Sequence, residues 1–362
     1  MKKILILEPY YGGSHKLFLD GLRDHLNADF HQLVLPARKW KMRMQLSAPW
    51  FVEELKKLPE SGRWFDSVLA STFVDLAMFR ALVQNLSGWN PETRFCCYFH
   101  ENQFGYPNRV MTGDLFQFGA INFNSALAAD AVAFNSLFNR QSFLSSVAPI
   151  LKKGADMDLT SLADELDQKS RVIHPGIDFE SFPARPSTEA TAIPVIVWNH
   201  RWEHDKNPEL FFQTLNELQD EDVPFQLIVL GQSFNNRPAC FQRAQKRLAE
   251  RIVHFGYAPS RAEYLRLLAR GDIVVSTADH EFFGIAIIEA VRAGCRPLLP
   301  ADLAYPELFD KSCLYERGCL KEELMSRLQH PNSLTAEQSV AMTDRFSWDH
   351  LIKDYEEFLF GD

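Results

Sequence analysis

The fold is decided by the stretch Asp272-Ile-Val-Val-Ser-Thr-Ala-Asp-His-Glu281-Phe-Phe-Gly284-Ile-Ala-Ile-Ile-Glu289. Residues 272–277 form an apolar run typical of a buried parallel strand, and residues 285–293 have the apolar spacing of a helix. Residues 278–284 are therefore predicted to form the turn at the carboxyl end of the strand. Open α/β sheets bind their ligands at such ends.

The residues of this turn suit an anion. Gly284 lets the backbone approach a ligand, and the N–H groups of Phe283, Gly284 and Ile285 are expected to point at a diphosphate. Glu289, one turn into the helix, can accept hydrogen bonds from ribose hydroxyls. The alternative is that Glu281 is solvated and Glu289 caps the helix or faces water.

The length of 362 residues and the apolar content of 46% fit two domains better than one. Six scattered cysteines lack the paired spacing of a zinc site and indicate reduced thiols in a cytoplasmic protein. The apolar run 4–7 is too short for a signal peptide, and no run approaches the ~20 apolar residues of a membrane span. We therefore expect a cytoplasmic protein without membrane contact.

The formal charge of −9 argues against a protein that coats nucleic acid indiscriminately, because such binding depends on Lys and Arg. One local basic patch, Arg38-Lys39-Trp40-Lys41-Met-Arg43, has four cations and an aromatic ring in six residues. It is a candidate contact for RNA. The alternative is a solvated loop with a buried tryptophan.

Strand-like and helical segments alternate along the chain, which is typical of doubly wound parallel sheets. The strand-like runs are residues 4–7, 32–35, 67–70, 95–99, 131–134 and 172–174, then 195–198, 225–230, 252–255, 272–276 and 296–299. The predicted organisation is a Rossmann-like domain over 1–180, a linker over 181–193, a second Rossmann-like domain over 194–345 and a terminal amphipathic helix over 346–362 with Ser347 as its cap.

Other polar groups follow predicted strands. Gly12 and Gly13 form a turn, before a helix beginning near Lys16, that could admit a phosphate; the alternative is an ordinary tight turn. His100 follows the strand 95–99 and could hold a sugar hydroxyl, with a charge adjustable near neutral pH. The alternative for a lone histidine is a structural role.

Arg201 and Lys206 follow the strand 195–198 and lie five positions apart. Two cations at this place can neutralise a leaving diphosphate. The alternative is a solvated ion-pair cluster with Glu203 and Asp205.

The sequence motifs of several other enzyme classes are absent. The chain has no G-x-G-x-x-G, no G-x4-G-K-[ST] and no G-x-S-x-G. The pair Asp156-Met-Asp158 lies in a predicted loop and does not follow a strand. We therefore expect no catalytic metal and no bound cofactor.

The E-x7-E segment and the Arg-x4-Lys pair resemble the donor site of retaining two-domain glycosyltransferases of the GT-B type. A more specific resemblance, to the tRNA-queuosine α-mannosyltransferase group of that family, runs over nearly the whole chain. It rests on Tyr11-Gly-Gly-Ser-His15, Leu35-Pro-Ala-Arg-Lys-Trp40, Tyr98-Phe-His-Glu-Asn-Gln103, Phe134-Asn-Ser136, His200-Arg-Trp-Glu-His-Asp-Lys206, Glu281-Phe-Phe-Gly284 and Phe346-Ser-Trp348.

The resemblance implies two Rossmann-like domains facing each other across a cleft, with the terminal helix packing back on the first domain. It implies that Glu281 and His100 contact the donor sugar, Glu289 binds the ribose, and Arg201 and Lys206 bind the diphosphate. It also implies metal-independent, retaining transfer of mannose from GDP-mannose to queuosine in the anticodon loop of tRNA-Asp.

Other functions stay open at this point. The chain could be a GT-B enzyme with another donor or acceptor, or a nucleotide-sugar epimerase. It could also be an RNA-binding module with an inactive donor pocket, although the intact set of two cations and two glutamates argues against that.

Overall fold

Two parallel sheets organise the chain in this computed structural model, which describes residues 1–105, 114–152, 156–183, 185, 193–233, 237–330 and 333–361. The chain divides into two compact units. The first consists of Met1–Ile177 with Phe346–Asp362, and the second is Asp178–Arg345. Of the predicted linker, residues 184 and 186–192 lie outside the described residues.

Within the described residues, each unit contains a six-stranded sheet. The strands are β1 Lys3–Tyr11, β2 Asp29–Pro36, β3 Ser67–Ser71, β4 Arg94–Phe99, β5 Ala131–Phe134, β6 Ser170–Val172, β7 Val195–Trp198, β8 Gln226–Leu230, β9 Ile252–Gly256, β10 Ile273–Val275, β11 Arg296–Pro300 and β12 Leu314–Tyr315. The strand order is β2-β1-β3-β4-β5-β6 in the first sheet and β12-β11-β10-β7-β8-β9 in the second. The fold class predicted from the sequence, two doubly wound α/β domains, is confirmed.

Helices connect and cover these strands. They are α1 Gly13–His25, α2 Trp40–Lys56, α3 Leu76–Val83, α4 Asp114–Ala128, α5 Leu137–Lys152, α6 Ser161–Lys169, α7 Pro208–Asp220, α8 Cys240–Arg247, α9 Arg261–Leu268, α10 Ile285–Arg292, α11 Tyr305–Leu308, α12 Leu320–Gln329, α13 Ala336–Thr343 and α14 Trp348–Phe360. No described helix is long and apolar enough to span a membrane.

The apolar run at the start of the chain is buried on both faces of the first sheet. Leu5 and Leu7 belong to one core cluster, and Ile4 and Ile6 belong to another. Strands covered on both faces are apolar at every position, which is why this run lacks the alternation of a half-exposed strand. The last strand of the first sheet was predicted over 172–174 but is observed over Ser170–Val172. Its pairing with β5 ends at Phe134 with Val172.

The terminal helix α14 supplies part of the core of the first unit. Its buried residues Trp348, Leu351, Tyr355, Phe358 and Leu359 follow helical spacing. The hydroxyl of Tyr355 lies 2.8 Å from the carbonyl oxygen of His174 and 3.2 Å from the hydroxyl of Tyr98. Ser347 occupies the predicted cap position, but its hydroxyl pairs with His350 Nδ1 at 2.8 Å and makes no capping bond to the backbone.

Candidate active site

The turn between β10 and α10 has the shape predicted for it. Gly284 precedes the helix with a φ of +99°, a conformation that other residues rarely adopt. The first N–H groups of a helix have no partner within it, so those of Gly284 and Ile285 can donate to an anion. The N–H of Phe283 differs from the prediction, because it points at Glu281 Oε1, 3.4 Å away.

Lys206 is held by carboxylates within the second unit. Its Nζ lies 3.3 Å from Glu281 Oε2 and 3.1 Å from Asp205 Oδ2, and it donates to the carbonyl oxygen of His280 at 2.6 Å. The lysine is buried. It is therefore part of a desolvated cluster, which differs from the solvated one considered above.

Electrostatics keep this cluster charged. Burial alone lowers the pKa of Lys206, but Glu281 and Asp205 outweigh it, so that pKa lies above its ordinary value. Burial, the largest single cause, raises the pKa of Glu281, but the Lys206 ammonium together with the smaller effects of His200, the Phe283 N–H and Arg201 outweighs it, so that pKa lies below its ordinary value. Near neutral pH the site therefore holds an ammonium in contact with two carboxylates.

Arg201 has different surroundings. Its side chain is 53% exposed, and its Nη2 lies 3.2 Å from Glu203 Oε2. The exposed guanidinium lies at the surface of the second unit, where an anion could reach it.

Glu289 is buried and neither caps the helix nor faces water. The hydroxyl of Tyr264 donates to Glu289 Oε2 at 2.8 Å, and Arg261 Nη1 lies 2.6 Å from Glu289 Oε1. Asn199 Nδ2 donates to the hydroxyl of Tyr264 at 3.1 Å and to the carbonyl oxygen of Ala286 at 2.7 Å. Tyr264 and Arg261 fix the carboxylate directly, and Asn199 supports it through Tyr264. The sequence analysis did not identify these residues because no motif links them to Glu289.

In the first unit, His100 lies in an aromatic environment after β4. Its ring centroid is 4.2 Å from that of His15, 4.8 Å from that of Phe18 and 4.7 Å from that of Tyr98. Burial first, and then the neighbouring His15, lowers the pKa of His100 well below its ordinary value. The expectation of a charge adjustable near neutral pH is therefore wrong, since this imidazole is neutral there.

A buried glutamate orients His15. Glu8 Oε2 lies 2.9 Å from His15 Nδ1, and the backbone N–H of Tyr10 donates to Glu8 Oε1 at 2.7 Å. Glu8 is 1% exposed. Glu8 was missed by the sequence analysis, although a single charged residue within an apolar strand was a signal that could have found it.

The glycine turn after β1 begins α1 directly. The helix starts at Gly13, three residues before the predicted start near Lys16, with Gly12 as its N-terminal flanking residue. A Cβ on Gly12 would lie 2.5 Å from the Cβ of Ala37, so glycine is required there by contact with the turn after β2. This contact places the Gly12–Gly13 turn beside the basic patch.

Asn135 and Ser136 belong to a hydrogen-bond network around the turn that carries His100. Asn135 Nδ2 donates to the carbonyl oxygen of His100 at 2.7 Å, and Asn139 Nδ2 donates to Asn135 Oδ1 at 2.8 Å. The hydroxyl of Ser136 accepts the backbone N–H of Asn139 at 2.9 Å. These bonds fix the backbone of the turn that carries His100.

The basic patch is only partly a loop. Helix α2 begins at Trp40, so Lys41 and Arg43 lie in its first turns, whereas Arg38 and Lys39 precede it. The ring of Trp40 packs on Phe118 and Phe73, with centroid distances of 5.1 and 6.0 Å, and Lys41 Nζ lies 5.8 Å from its centroid. Arg38, Lys39 and Lys41 are exposed. Trp40 therefore supports an exposed cationic surface.

No group of three or more His, Cys, Asp or Glu suited to a metal ion occurs among the described residues. Asp158 of the acidic pair accepts the backbone N–H and the hydroxyl of Thr160, at 3.2 and 2.7 Å. These bonds account for that carboxylate as a turn residue.

Comparison with known proteins agrees with the geometry. Residues 3–177 match the family model of the tRNA-queuosine alpha-mannosyltransferase N-terminal region, and residues 182–312 match that of glycosyl transferases group 1. A tRNA-queuosine alpha-mannosyltransferase of Drosophila melanogaster is 37% identical over 97% of this chain and 95% of its own length. A GDP-mannose:cellobiosyl-diphosphopolyprenol alpha-mannosyltransferase of Xanthomonas oryzae pv. oryzae is 24% identical over 51% of each chain.

Among solved structures, Anabaena Alr3699/HepE in complex with UDP matches with a TM-score of 0.69 over 99% of both chains, at 14% identity. That likeness concerns the fold and agrees with the GT-B architecture predicted from the sequence. The full-length relative at 37% identity carries the assignment further. The chain belongs to the tRNA-queuosine alpha-mannosyltransferase family of GT-B glycosyltransferases.

Proposed function

We propose that this chain transfers mannose from GDP-mannose to the cyclopentene-diol of queuosine in the anticodon loop of tRNA-Asp, with retention of configuration and without a metal ion. The observation that carries the proposal is the buried contact of Lys206 with Glu281 beside the Gly284 turn, in a chain of this family. The name of the Drosophila relative supports the acceptor, and that of the Xanthomonas relative supports the donor.

The second unit is proposed to bind the donor. Lys206 and Arg201 would neutralise the diphosphate, and the N–H groups of Gly284 and Ile285 would add hydrogen bonds to it. Because Glu281 Oε2 lies 3.3 Å from Lys206 Nζ, a lysine on the phosphate holds the carboxylate next to the attached sugar. Glu289, fixed by its tyrosine and arginine partners, would accept the ribose hydroxyls.

In the first unit, His100 is proposed to hold a mannose hydroxyl. A neutral imidazole both donates and accepts hydrogen bonds, so it can orient a hydroxyl without adding charge. The buried Glu8 and His15 pair would fix the ring against which His100 packs.

The chemical step breaks the bond between the anomeric carbon and the phosphate oxygen. It forms a bond from a queuosine hydroxyl oxygen to the same face of that carbon, and the hydroxyl proton passes to the departing phosphate. Charge grows on the diphosphate as its bond breaks, so cations placed there stabilise the transition state more than the ground state. In this proposal, Lys206 and Arg201 of the second unit stabilise the leaving diphosphate without a metal ion.

The tRNA is proposed to contact the cations at the start of α2, namely the exposed Arg38, Lys39 and Lys41 and the half-buried Arg43. They lie beside the Gly12–Gly13 turn, which would admit the acceptor or a phosphate close to the backbone. The proposed location is the cytoplasm. The thiols, which are unpaired among the described residues, suit a reducing compartment.

Transfer of labelled mannose to matched tRNA-Asp preparations with and without queuosine tests the acceptor. We expect label only on the queuosine-containing tRNA, with chelator present. Equal labelling of both tRNAs would refute the acceptor. Calorimetry with GDP-, UDP- and ADP-sugars tests the donor, and a preference for a UDP-sugar would refute GDP-mannose.

A further inference from the structure

His200 is a buried polar residue that the function described so far does not use. It follows β7 directly, is 3% exposed, and packs edge-on against Trp198 with ring centroids 5.1 Å apart. Its Nε2 has no hydrogen-bond partner among the described residues, and neither has Oδ1 of the adjacent Asn199. Buried polar atoms are nearly always paired, so two unpaired atoms on consecutive residues at a strand end indicate a ligand.

The surroundings of His200 place it in the diphosphate region of the second unit. Strand β7 pairs with β10, whose continuation leads to Glu281. Trp198 Nε1 lies 3.4 Å from Thr277 Oγ1, and that hydroxyl donates to the carbonyl oxygen of Lys206 at 2.9 Å. The strand end that carries His200 is thus tied to the residue proposed to bind the leaving group.

The imidazole of His200 is neutral under physiological conditions. Burial first, and then the Lys206 ammonium, lowers its pKa to about 4, while Glu281 and Asp205 act in the opposite direction. A neutral imidazole carries one N–H, which it can place on Nε2. Phosphate oxygens near pH 7 chiefly accept hydrogen bonds, so that N–H matches them.

We propose that His200 Nε2 donates a hydrogen bond to the sugar-proximal phosphate of the nucleotide-sugar donor. This inference rests on the proposed function, in which the second unit binds a nucleoside diphosphate sugar. The hydrogen bond adds an interaction without adding a charge to a cluster in which Lys206 already faces two carboxylates. His200 is then a binding residue that helps to hold the leaving group.

An apolar substitution separates this role from a structural one. An unpaired buried nitrogen costs stability, so His200→Leu should leave the melting temperature of the ligand-free protein unchanged or raise it. The same change should weaken GDP binding about 10- to 100-fold, the usual loss for a hydrogen bond to a charged group. His200→Gln, whose amide N–H lies close to the position of Nε2, should restore part of the affinity.

Calorimetry on the full chain tests the inference with GDP and GMP as ligands. GMP lacks the sugar-proximal phosphate, so its affinity should be the same in the wild type and in His200→Leu. The surface change His330→Leu, in the same unit, should alter neither affinity.

Three outcomes would overturn the inference: GDP binding within twofold of wild type in His200→Leu, equal losses for GDP and GMP, or a loss of GDP binding together with a large fall in melting temperature. A wild-type chain that binds UDP and not GDP would instead refute the proposed donor.

Discussion

Lys206 and Arg201 carry the same charge but have different surroundings. Lys206 lies between two carboxylates with 7% of its side chain exposed, whereas Arg201 is 53% exposed with Glu203 beside it. Removing a partner from a buried ion pair leaves an uncompensated charge, but removing an exposed one costs little. The two residues should therefore contribute differently to the stability of the protein while sharing a role in the reaction.

We expect Lys206→Ala to lower the free energy of unfolding by ~3–5 kcal/mol, and Arg201→Ala to change it by less than ~0.5 kcal/mol. Both should reduce kcat by about 100- to 1,000-fold, because both lose a group that stabilises the leaving diphosphate. Chemical denaturation and steady-state kinetics on each variant measure these effects. If a variant retains the wild-type kcat, the substituted residue has no role in the reaction. Equal free energies of unfolding for the two variants would contradict the buried cluster around Lys206.

At the scale of residues, sequence reasoning identified the type of site but not its contacts. The strand-end position of Lys206 and of Glu281 was evident from apolar runs and turn residues. Their contact, across 75 positions in the chain, follows from the pairing of β7 with β10, which local patterns do not determine. For the same reason the partners of Glu289 were not found, because Tyr264 and Arg261 belong to a helix without any recognisable motif.

At the scale of elements, the first turns of α2 carry the acceptor hypothesis. Lys39 and Lys41 are exposed there, and Lys56 and Lys57 are exposed at the opposite end of the same helix. The two pairs offer equal changes of net charge at different places. A comparison between them separates a local contact with RNA from the overall acidity of the chain.

We expect Lys39→Glu with Lys41→Glu to weaken tRNA binding and to reduce its logarithmic salt dependence by about 1.5, corresponding to two lost phosphate contacts. Lys56→Glu with Lys57→Glu, the control, should have a much smaller effect. Neither pair should change GDP binding. Binding titrations at several salt concentrations provide the measurement, and equal effects of the two pairs would exclude a localised contact.

Helix α14 completes the core of the first unit. The Trp348 ring is 2% exposed and packs against Phe18, His25 and Tyr355, with centroid distances of 6.0, 5.5 and 5.4 Å. We expect Trp348→Ala to lower the free energy of unfolding by ~3–5 kcal/mol, because the cavity that it leaves cannot be filled. As a control, Trp64 is 55% exposed, so Trp64→Ala should change the free energy of unfolding by less than ~0.5 kcal/mol. Comparable losses in chemical denaturation would contradict the packing of α14.

The elements with long apolar runs were predictable, and the short or interrupted ones were not. Strand β12 has two residues and thus no pattern to detect. Helix α1 begins at Gly13, before the predicted start near Lys16, and α2 begins at Trp40, within the basic patch that could also have been a loop. Lys39, before α2, has a left-handed backbone, which residues with a Cβ rarely adopt, so local preference does not predict that start. Gly13 adopts its positive φ without steric cost.

At the scale of the whole molecule, buried histidines link stability to pH in both units. Burial is the largest cause that lowers the pKa of His100 in the first unit and of His200 and His280 in the second, with values of about 4 for the latter two. The ordinary histidine pKa is about 6.5. Between these values the unfolded chain binds protons that the folded chain does not.

Stability should therefore rise with pH from about 4 to 6.5 and level off above, since ∂ΔG/∂pH is positive wherever the unfolded state binds more protons. Each such histidine contributes a slope of up to ~1.4 kcal/mol per pH unit. Glu281 and Asp205 have lowered pKa values, so they stabilise the fold above their ordinary pKa values and lose that contribution only in more acidic solution. Measurements above pH 5 therefore separate the effect of the histidines from that of these two carboxylates. Urea unfolding at pH 5.2, 5.8, 6.4 and 7.5 should give this profile, with a smaller slope in His200→Leu. A wild-type profile that is flat or falls toward neutral pH would mean that these imidazoles are charged or solvated in the folded protein.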